Sequence, residues 1–243
     1  MAPQSRPPTI LLTRPAAQSA RFAAALRLRF AGIRILCSAL IAPRHLSPTL
    51  ADRKWTALIL TSETAVLAAR RIIADGATLP RLGFCVGTRT AEAARAAGFE
   101  PLSAQGDADA LVDLILSHNP SGPLLHLQGR HSRGDIAKKL ISAGIETYEA
   151  IAYAQESQSL TPEATAFLTS AAPVIAPLFS PRTAQILVAE CARINRTAPL
   201  TIVALSSAVA IAAAPLAAQT TCAARPDAEA MVDAIATLLA ARR

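Results

Sequence analysis

Five short hydroxyl-bearing segments stand where an apolar run gives way to helical periodicity: Thr13-Arg14-Pro15, Thr61-Ser62, Thr88-Arg89-Thr90, Ser180-Pro181-Arg182 and Ser206-Ser207. In an open α/β sheet such junctions form the edge at which ligands bind. A helix that starts there offers unpaired N–H groups and a partial positive charge, which attract carboxylates and phosphates. Serine and threonine are also the preferred helix N-caps, and Pro181 after Ser180 is ordinary first-turn chemistry. A cap and an anion contact are compatible, because the hydroxyl satisfies one N–H while the others face a ligand. Five such ends with arginines nearby point to a cradle for a polyanion. Two further places join them. Gly129 follows an apolar run and leads through Arg130 and Arg133 into a helical pattern, where a glycine lets backbone approach a ligand or simply makes a turn. Tyr153, one of two tyrosines, reads either as a polar anchor in a cleft or as a strand residue with its hydroxyl in water.

Other chemistries lack their motifs. No G-x-G-x-x-G follows the first apolar run, so a dinucleotide cofactor is unsupported; nor is there a phosphate-binding G-x-x-x-x-G-K-[ST] or a G-x-S-x-G nucleophile elbow. His126 and His131 are five apart and have no third ligand close in sequence, so no metal site is expected; His45 and His118 read as loop residues. Cys37, Cys85, Cys191 and Cys222 are widely spaced without a CxxC pair and read as buried free thiols of a reducing compartment.

The elements that must position these residues are legible as alternating patterns. Near-continuous apolar runs at 9–13, 57–60, 82–86, 124–127, 174–179 and 201–205 read as strands covered on both faces. Helical periodicity occupies 16–30, 64–73 and 133–143. The alternation is that of a doubly wound parallel α/β sheet. Motifs also recur along the chain, at offsets of 112 (Gly32 to Gly144), 118 (Ser62 to Ser180) and 120 (Asp107 to Asp227). A near-constant offset implies two similar halves of about five strands each. Pro43–Pro48 and Ala154–Leu160 occupy equivalent places in the two repeats and are the linker candidates. The stretch 197–224 carries no charge, but it is rich in Ala, Ser and Thr and broken by Pro215, so strand, helix and strand fit it better than a membrane span. The net charge of +7 suggests an acidic partner, yet no basic run exceeds two residues, unlike the clusters of nucleic-acid-binding arms.

Taken in order, these segments resemble the uroporphyrinogen-III synthase family. Thr13-Arg14-Pro15 is similar to the family's T-R-P, Leu60-Thr61-Ser62 with Ala65-Val66 to its F-T-S-x-x-A-V, and Val86-Gly87-Thr88-Arg89-Thr90-Ala91 to its V-G-x-x-T-A. Gly129 with Arg133, Tyr153, Phe179-Ser180-Pro181 and Ala224 with Pro226 continue the match across almost the whole chain. The departure is Ala204-Leu205-Ser206-Ser207-Ala208, where the family shows I-G-x-T-T-A.

The resemblance implies two flavodoxin-like doubly wound domains joined by a two-stranded linker, the first discontinuous (1–40 with 154–243) and the second 41–153, with linkers near Leu40–Ser47 and Tyr153–Leu160. It implies a cytoplasmic, cofactor-free lyase that closes hydroxymethylbilane, a linear tetrapyrrole, to uroporphyrinogen III with inversion of ring D and loss of water, by way of an azafulvene cation and a spiro intermediate. Domain closure through the linkers is expected to accompany catalysis. Tyr153 is expected to assist departure of the hydroxyl. Arg14, Thr61, Ser62, Thr88, Thr90, Gly129, Arg130, Arg133, Ser180, Ser206 and Ser207 are the expected substrate-binding positions. The expected chain is a monomer without nucleic-acid or membrane partners. Two rival readings are a two-domain receptor for an anionic small molecule, against which the lack of a signal peptide argues, and a basic nucleic-acid-binding regulator.

Overall fold

The computed structural model describes residues 8–131 and 135–241. The chain divides into two compact units, one made of residues 1–42 and 157–243, the other of residues 43–156.

The first unit contains β1 (Thr9–Leu12), α1 (Ala16–Arg29), β2 (Ile35–Cys37), and, after the second unit, α6 (Pro162–Leu168), β9 (Val174–Leu178), α7 (Pro181–Arg193), β10 (Leu200–Ala204), α8 (Ser207–Ala213), β11 (Gln219–Cys222) and α9 (Ala228–Ala240). Its five strands lie in the order β2-β1-β9-β10-β11, and all neighbours are parallel. This is the flavodoxin order, and its direction reverses between β1 and β9. Side chains alternate across the sheet as the pleat demands. Leu11 joins one core with Leu178, Leu187 and Ile202, while Ile10 and Leu12 join another with Phe22, Leu26, Val203 and Ile235. That is why the strands read as unbroken apolar runs.

The second unit contains β3 (Ile41–His45, which begins at its boundary), β4 (Ala57–Leu60), α2 (Glu63–Ala74), β5 (Leu82–Cys85), α3 (Thr88–Ala96), β6 (Glu100–Ser103), α4 (Ala108–His118), β7 (Leu124–Gly129), α5 (Ile136–Ser142) and β8 (Thr147–Ser157). The strand order is β6-β5-β4-β7-β8-β3. The pairings among β4 to β8 are parallel. The order differs from that of the first sheet, because two successive strands, β5 and β6, extend it on one side of β4 before the chain returns to lay β7 on the other. Leu58 and Leu60 face one core with Val66 and Ile72; Ala57 and Ile59 face the other with Leu111, Ile115 and Leu140. Each fully buried leucine or isoleucine contributes roughly 1.5–3 kcal/mol by leaving water.

The expected linker segments are largely strand. The chain passes between units at 42/43 and at 156/157, within β3 and β8, which lie side by side. Leu46 N–H donates to the Ala152 carbonyl and Gln158 N–H to that of Leu40, so residue numbers fall on one strand as they rise on the other and the pair is antiparallel. This pairing adds a sixth strand to the second sheet, where about five were expected. It also places His45 at the end of a strand rather than in a loop, and His118 is the last residue of α4, its ring edge-on to Phe84 at 5.3 Å. Cys85 and Cys191 are buried, and burial pushes both thiols up to about 11. Cys37 and Cys222 are exposed, contrary to expectation, because they lie on the edge strands β2 and β11. Residues 197–224 form β10, α8, a single 3-10 turn and β11. Among the described residues, no helix is long and apolar enough to cross a membrane.

Candidate functional site

Each sheet has its own single reversal of strand order, flanked by the loops that carry Arg14 and Ser180 in one unit and Thr61, Ser62, Gly129 and Arg130 in the other, while Thr88 and Thr90 follow β5 and Ser206 and Ser207 follow β10. In the second sheet the reversal lies between β4 and β7. β4 leads into Thr61 and Ser62, and Ser62 caps α2 by accepting the Ala65 N–H at 3.1 Å. The helix follows for local reasons: a β-region cap, Glu63 in the first turn, and Ala65, Val66, Ala69 and Ile72 on one buried stripe. It ends at Asp75, and Gly76 takes a φ of +100°.

The register of β8 supplies the next residue. Gln128 is opposite Ile151, but Gly129 is opposite Tyr153, so one extra residue of β8 is accommodated between them. Such a bulge re-aims side chains. Ala152, Tyr153 and Ala154 are all buried in succession. The Arg130 N–H closes the ladder on the Tyr153 carbonyl at 2.9 Å. The Tyr153 phenol reaches Ser62, with its hydroxyl oxygen 2.9 Å from Oγ. The ring lies directly against Gly129: a Cβ built there would stand 2.8 Å from Cε2 and 3.0 Å from Cζ of Tyr153. Gly129 is thus explained by the close approach of an aromatic ring. Tyr153 is buried and its hydroxyl is within hydrogen-bond distance of Ser62.

The remaining positions in this unit are at the same sheet edge. Thr88, exposed, opens α3 after Gly87, and Thr90, within the same first turn, is buried. Arg130 is exposed just past β7. Arg133 lies outside the described residues. His126 of β7 is buried, with Nδ1 3.6 Å from Glu149 Oε1; burial holds its imidazole below the usual range against the pull of Glu149. No group of three His, Cys, Asp or Glu able to hold a metal ion occurs among the described residues.

In the first unit the reversal lies between β1 and β9. Arg14 follows β1 and Phe179 follows β9; the guanidinium stacks on the phenyl ring, 3.9 Å from its centroid. Phe22 of α1 meets the same ring edge-on at 5.0 Å. Arg14 Nε also donates to Gln18 Oε1 at 3.1 Å. Ser180 caps α7 through the Thr183 N–H at 3.2 Å and exchanges a hydrogen bond with the Thr183 hydroxyl at 2.9 Å. Ser206 caps α8 by position without a side-chain bond, and Ser207 is exposed. Two neighbouring residues were not among the expected substrate-binding positions, although Thr13 stood in one of the five hydroxyl segments. Phe179 is the platform for Arg14; its place in Phe179-Ser180-Pro181 was the available signal. Thr13, at the end of β1, is fully buried with a hydroxyl that has no hydrogen-bond partner.

The family model described as uroporphyrinogen-III synthase HemD matches residues 21–233. The chain belongs to the uroporphyrinogen-III synthase family. A solved structure of uroporphyrinogen-III synthetase from Helicobacter pylori 26695 is similar to it, with a TM-score of 0.62 at 15% identity, covering 95% of this chain and 99% of that one. That likeness shows the two-sheet α/β fold. A mutant uroporphyrinogen III synthase from the extremely thermophilic bacterium Thermus thermophilus is matched at 13% identity and a TM-score of 0.47, over 96% and 99% of the two chains. No curated protein sequence matches the chain. Uroporphyrinogen-III synthases are cyclising lyases of tetrapyrrole biosynthesis, and this chain is an enzyme of that type.

Proposed function

We propose that this chain closes hydroxymethylbilane to uroporphyrinogen III, with Tyr153 assisting departure of the terminal hydroxyl. The observation that carries the residue assignment is the Tyr153 phenol, anchored by Ser62 and seated on Gly129 at the reversal point of the second sheet. In this reading the phenol donates its proton to the hydroxyl as the C–O bond breaks, and water leaves. The substituted carbon of ring D attacks the electron-poor azafulvene carbon, the resulting spiro intermediate opens, and the ring recloses inverted. Loss of a proton at reclosure balances the one donated at the start. A phenol is a weak acid, so the group assists a departure that the electron-rich pyrrole already drives.

The rest of the task is geometric. The substrate carries an acetate and a propionate on every ring, and holding it in one reactive shape is an orientation effect worth up to about 7–11 kcal/mol. Arg14, Thr61, Thr88, Thr90, Arg130, Arg133, Ser180, Ser206 and Ser207 are the proposed carboxylate contacts, with adjoining amides. Gly129 serves by leaving space. The buried Thr90 acts from within the first turn of α3, and Arg14 acts from its stack on Phe179. Residues 1–42 with 157–243, and residues 43–156, are the proposed functional domains. The chain is proposed to act as a monomer in the cytoplasm.

The test is incubation of the purified chain with hydroxymethylbilane, oxidation, and chromatographic separation of the isomers. Formation of isomer III faster than spontaneous closure is expected; isomer I alone at the spontaneous rate overturns the proposal. Replacing Tyr153 by Phe is expected to slow isomer III formation by ~10²-fold, the lower end of acid–base contributions. An unchanged rate removes Tyr153 from the mechanism.

A further inference from the structure

We propose that Ser62 is a positioning residue for Tyr153, donating its hydroxyl proton to the phenol oxygen so that the phenol's own proton stays available to substrate. This rests on the reading of Tyr153 given above. It assigns Ser62 a different task from the carboxylate contact that its place at a helix start first implied.

A serine hydroxyl has one proton and two lone pairs. In Ser62 one lone pair is already engaged by the Ala65 N–H at 3.1 Å. What remains, one O–H and one lone pair, meets the Tyr153 hydroxyl at 2.9 Å. Either oxygen has the geometry to donate, and two features of the surroundings decide between them. Ser62 stands at the positive end of the twelve-residue helix α2, where the field withdraws electron density from Oγ and makes it the poorer acceptor. Accepting the Ala65 N–H polarises the hydroxyl further in the same direction, because chained hydrogen bonds reinforce one another. Ser62 therefore donates and Tyr153 accepts. The phenolate left after proton transfer retains that donor as a charge-assisted hydrogen bond, which is the stronger kind.

The ring has little freedom to find another arrangement. Tyr153 is 8% exposed, the β8 bulge fixes its backbone, and Gly129 lies close against the hydroxyl end of its ring. The hydroxyl is thus aimed by three contacts from three elements: Ser62 at the end of β4, Gly129 at the end of β7, and its own strand.

The experiment compares Ser62→Ala, Ser62→Gly, Ser62→Thr, Tyr153→Phe and the double variant S62A/Y153F. Glycine caps helices nearly as well as serine, so S62G removes the hydroxyl without removing the helix start. In S62A and S62G, kcat is expected to fall about tenfold, a misalignment effect, with KM changed less than about twofold; S62T is expected to recover most of the rate. S62A is expected to cost nothing further in the Y153F background, because a residue acting through another has no separate effect once that other is gone. A readout independent of turnover is the 13Cζ signal of labelled tyrosine. The chain has only Tyr148 and Tyr153, so a Tyr148→Phe variant assigns both signals, and that of Tyr153 is expected to move in S62G and not in S62T. A rise in KM with kcat retained, full additivity in the double variant, or an unmoved Tyr153 signal overturns the proposal for Ser62. A Y153F variant with undiminished rate instead overturns the reading of Tyr153 on which it rests.

Discussion

Gly129 stands where any side chain would strike the ring of Tyr153. The nearest approach of an added Cβ, 2.8 Å to Cε2, is too short for the ring to remain in place. Gly129→Ala is therefore expected to displace the phenol from Ser62 while the second unit stays folded. Displacements of about 1 Å at a reacting group cost on the order of 10²-fold in rate. A comparable loss in kcat is expected, with far-UV circular dichroism unchanged. An alanine variant at full rate removes the packing argument for this glycine.

Glu190 of α7 makes a second long-range tie. Its carboxylate accepts the buried Leu160 N–H at 2.8 Å and pairs with Arg193 through both oxygens, at 2.9 and 2.7 Å. The Arg193 hydrogen bond, with help from the Leu160 N–H, holds the carboxyl below its ordinary value of 4.5. A depressed carboxylate stabilises the folded state above the unfolded pKa, and the contribution is lost as pH falls through the folded one. Glu190→Gln is expected to lower the unfolding free energy at pH 7 by about 1.5–3 kcal/mol, the size of a hydrogen bond to a charged group. The difference from the parent should shrink below pH 4.5. Denaturant melts at pH 7 and pH 4 check both parts.

His126 works in the opposite direction. Burial in the second unit keeps its imidazole neutral below the ordinary 6.5, despite Glu149 nearby. The unfolded chain then binds a proton that the folded chain refuses, so stability falls as pH drops from about 6.5 toward the folded value. His126→Leu is expected to abolish this loss between pH 7.5 and 5.5, measured as the shift of the thermal midpoint. Equal shifts in parent and variant contradict it.

Asp107 and Asp227 are equivalent residues of the internal repeat and do the same job. Asp107 accepts the N–H groups of Asp109 and Ala110 at the start of α4, and Asp227 accepts that of Ala230 at the start of α9. The bound N–H groups lower both carboxyls. Alanine at either position is expected to lower stability through the lost cap, and the two losses should add because the caps start helices in separate units. Chemical denaturation of the single and double variants tests this.

These caps mark how far the sequence could be read. Strands covered on both faces, such as β4 and β9, announce themselves as unbroken apolar runs, and the capped helix starts follow from single residues. The edge strands do not. β6 is Glu100–Ser103, partly exposed along its length, and β3 begins apolar but ends in Pro-Arg-His. Neither has a period that distinguishes it from a loop, because what makes each a strand is the neighbour that pairs with it. The candidate site divides in the same way. Its members were legible as residue types at strand ends, but the contact of Ser62 with Tyr153 spans 91 positions and depends on a one-residue bulge. Nothing in local sequence specifies that bulge.

The nesting of one unit inside the other also orders events during synthesis. Residues 43–156 form a continuous unit, all of whose parallel strands leave the ribosome before β9 does. β1, by contrast, lies between β2 and β9 and waits through more than a hundred residues for its second neighbour. Because domains fold largely as they emerge, the inner unit is expected to be native while the apolar segment Ile10–Leu12 is still half covered. The nascent chain is then exposed to aggregation at β1 for longer than at any strand of the inner unit.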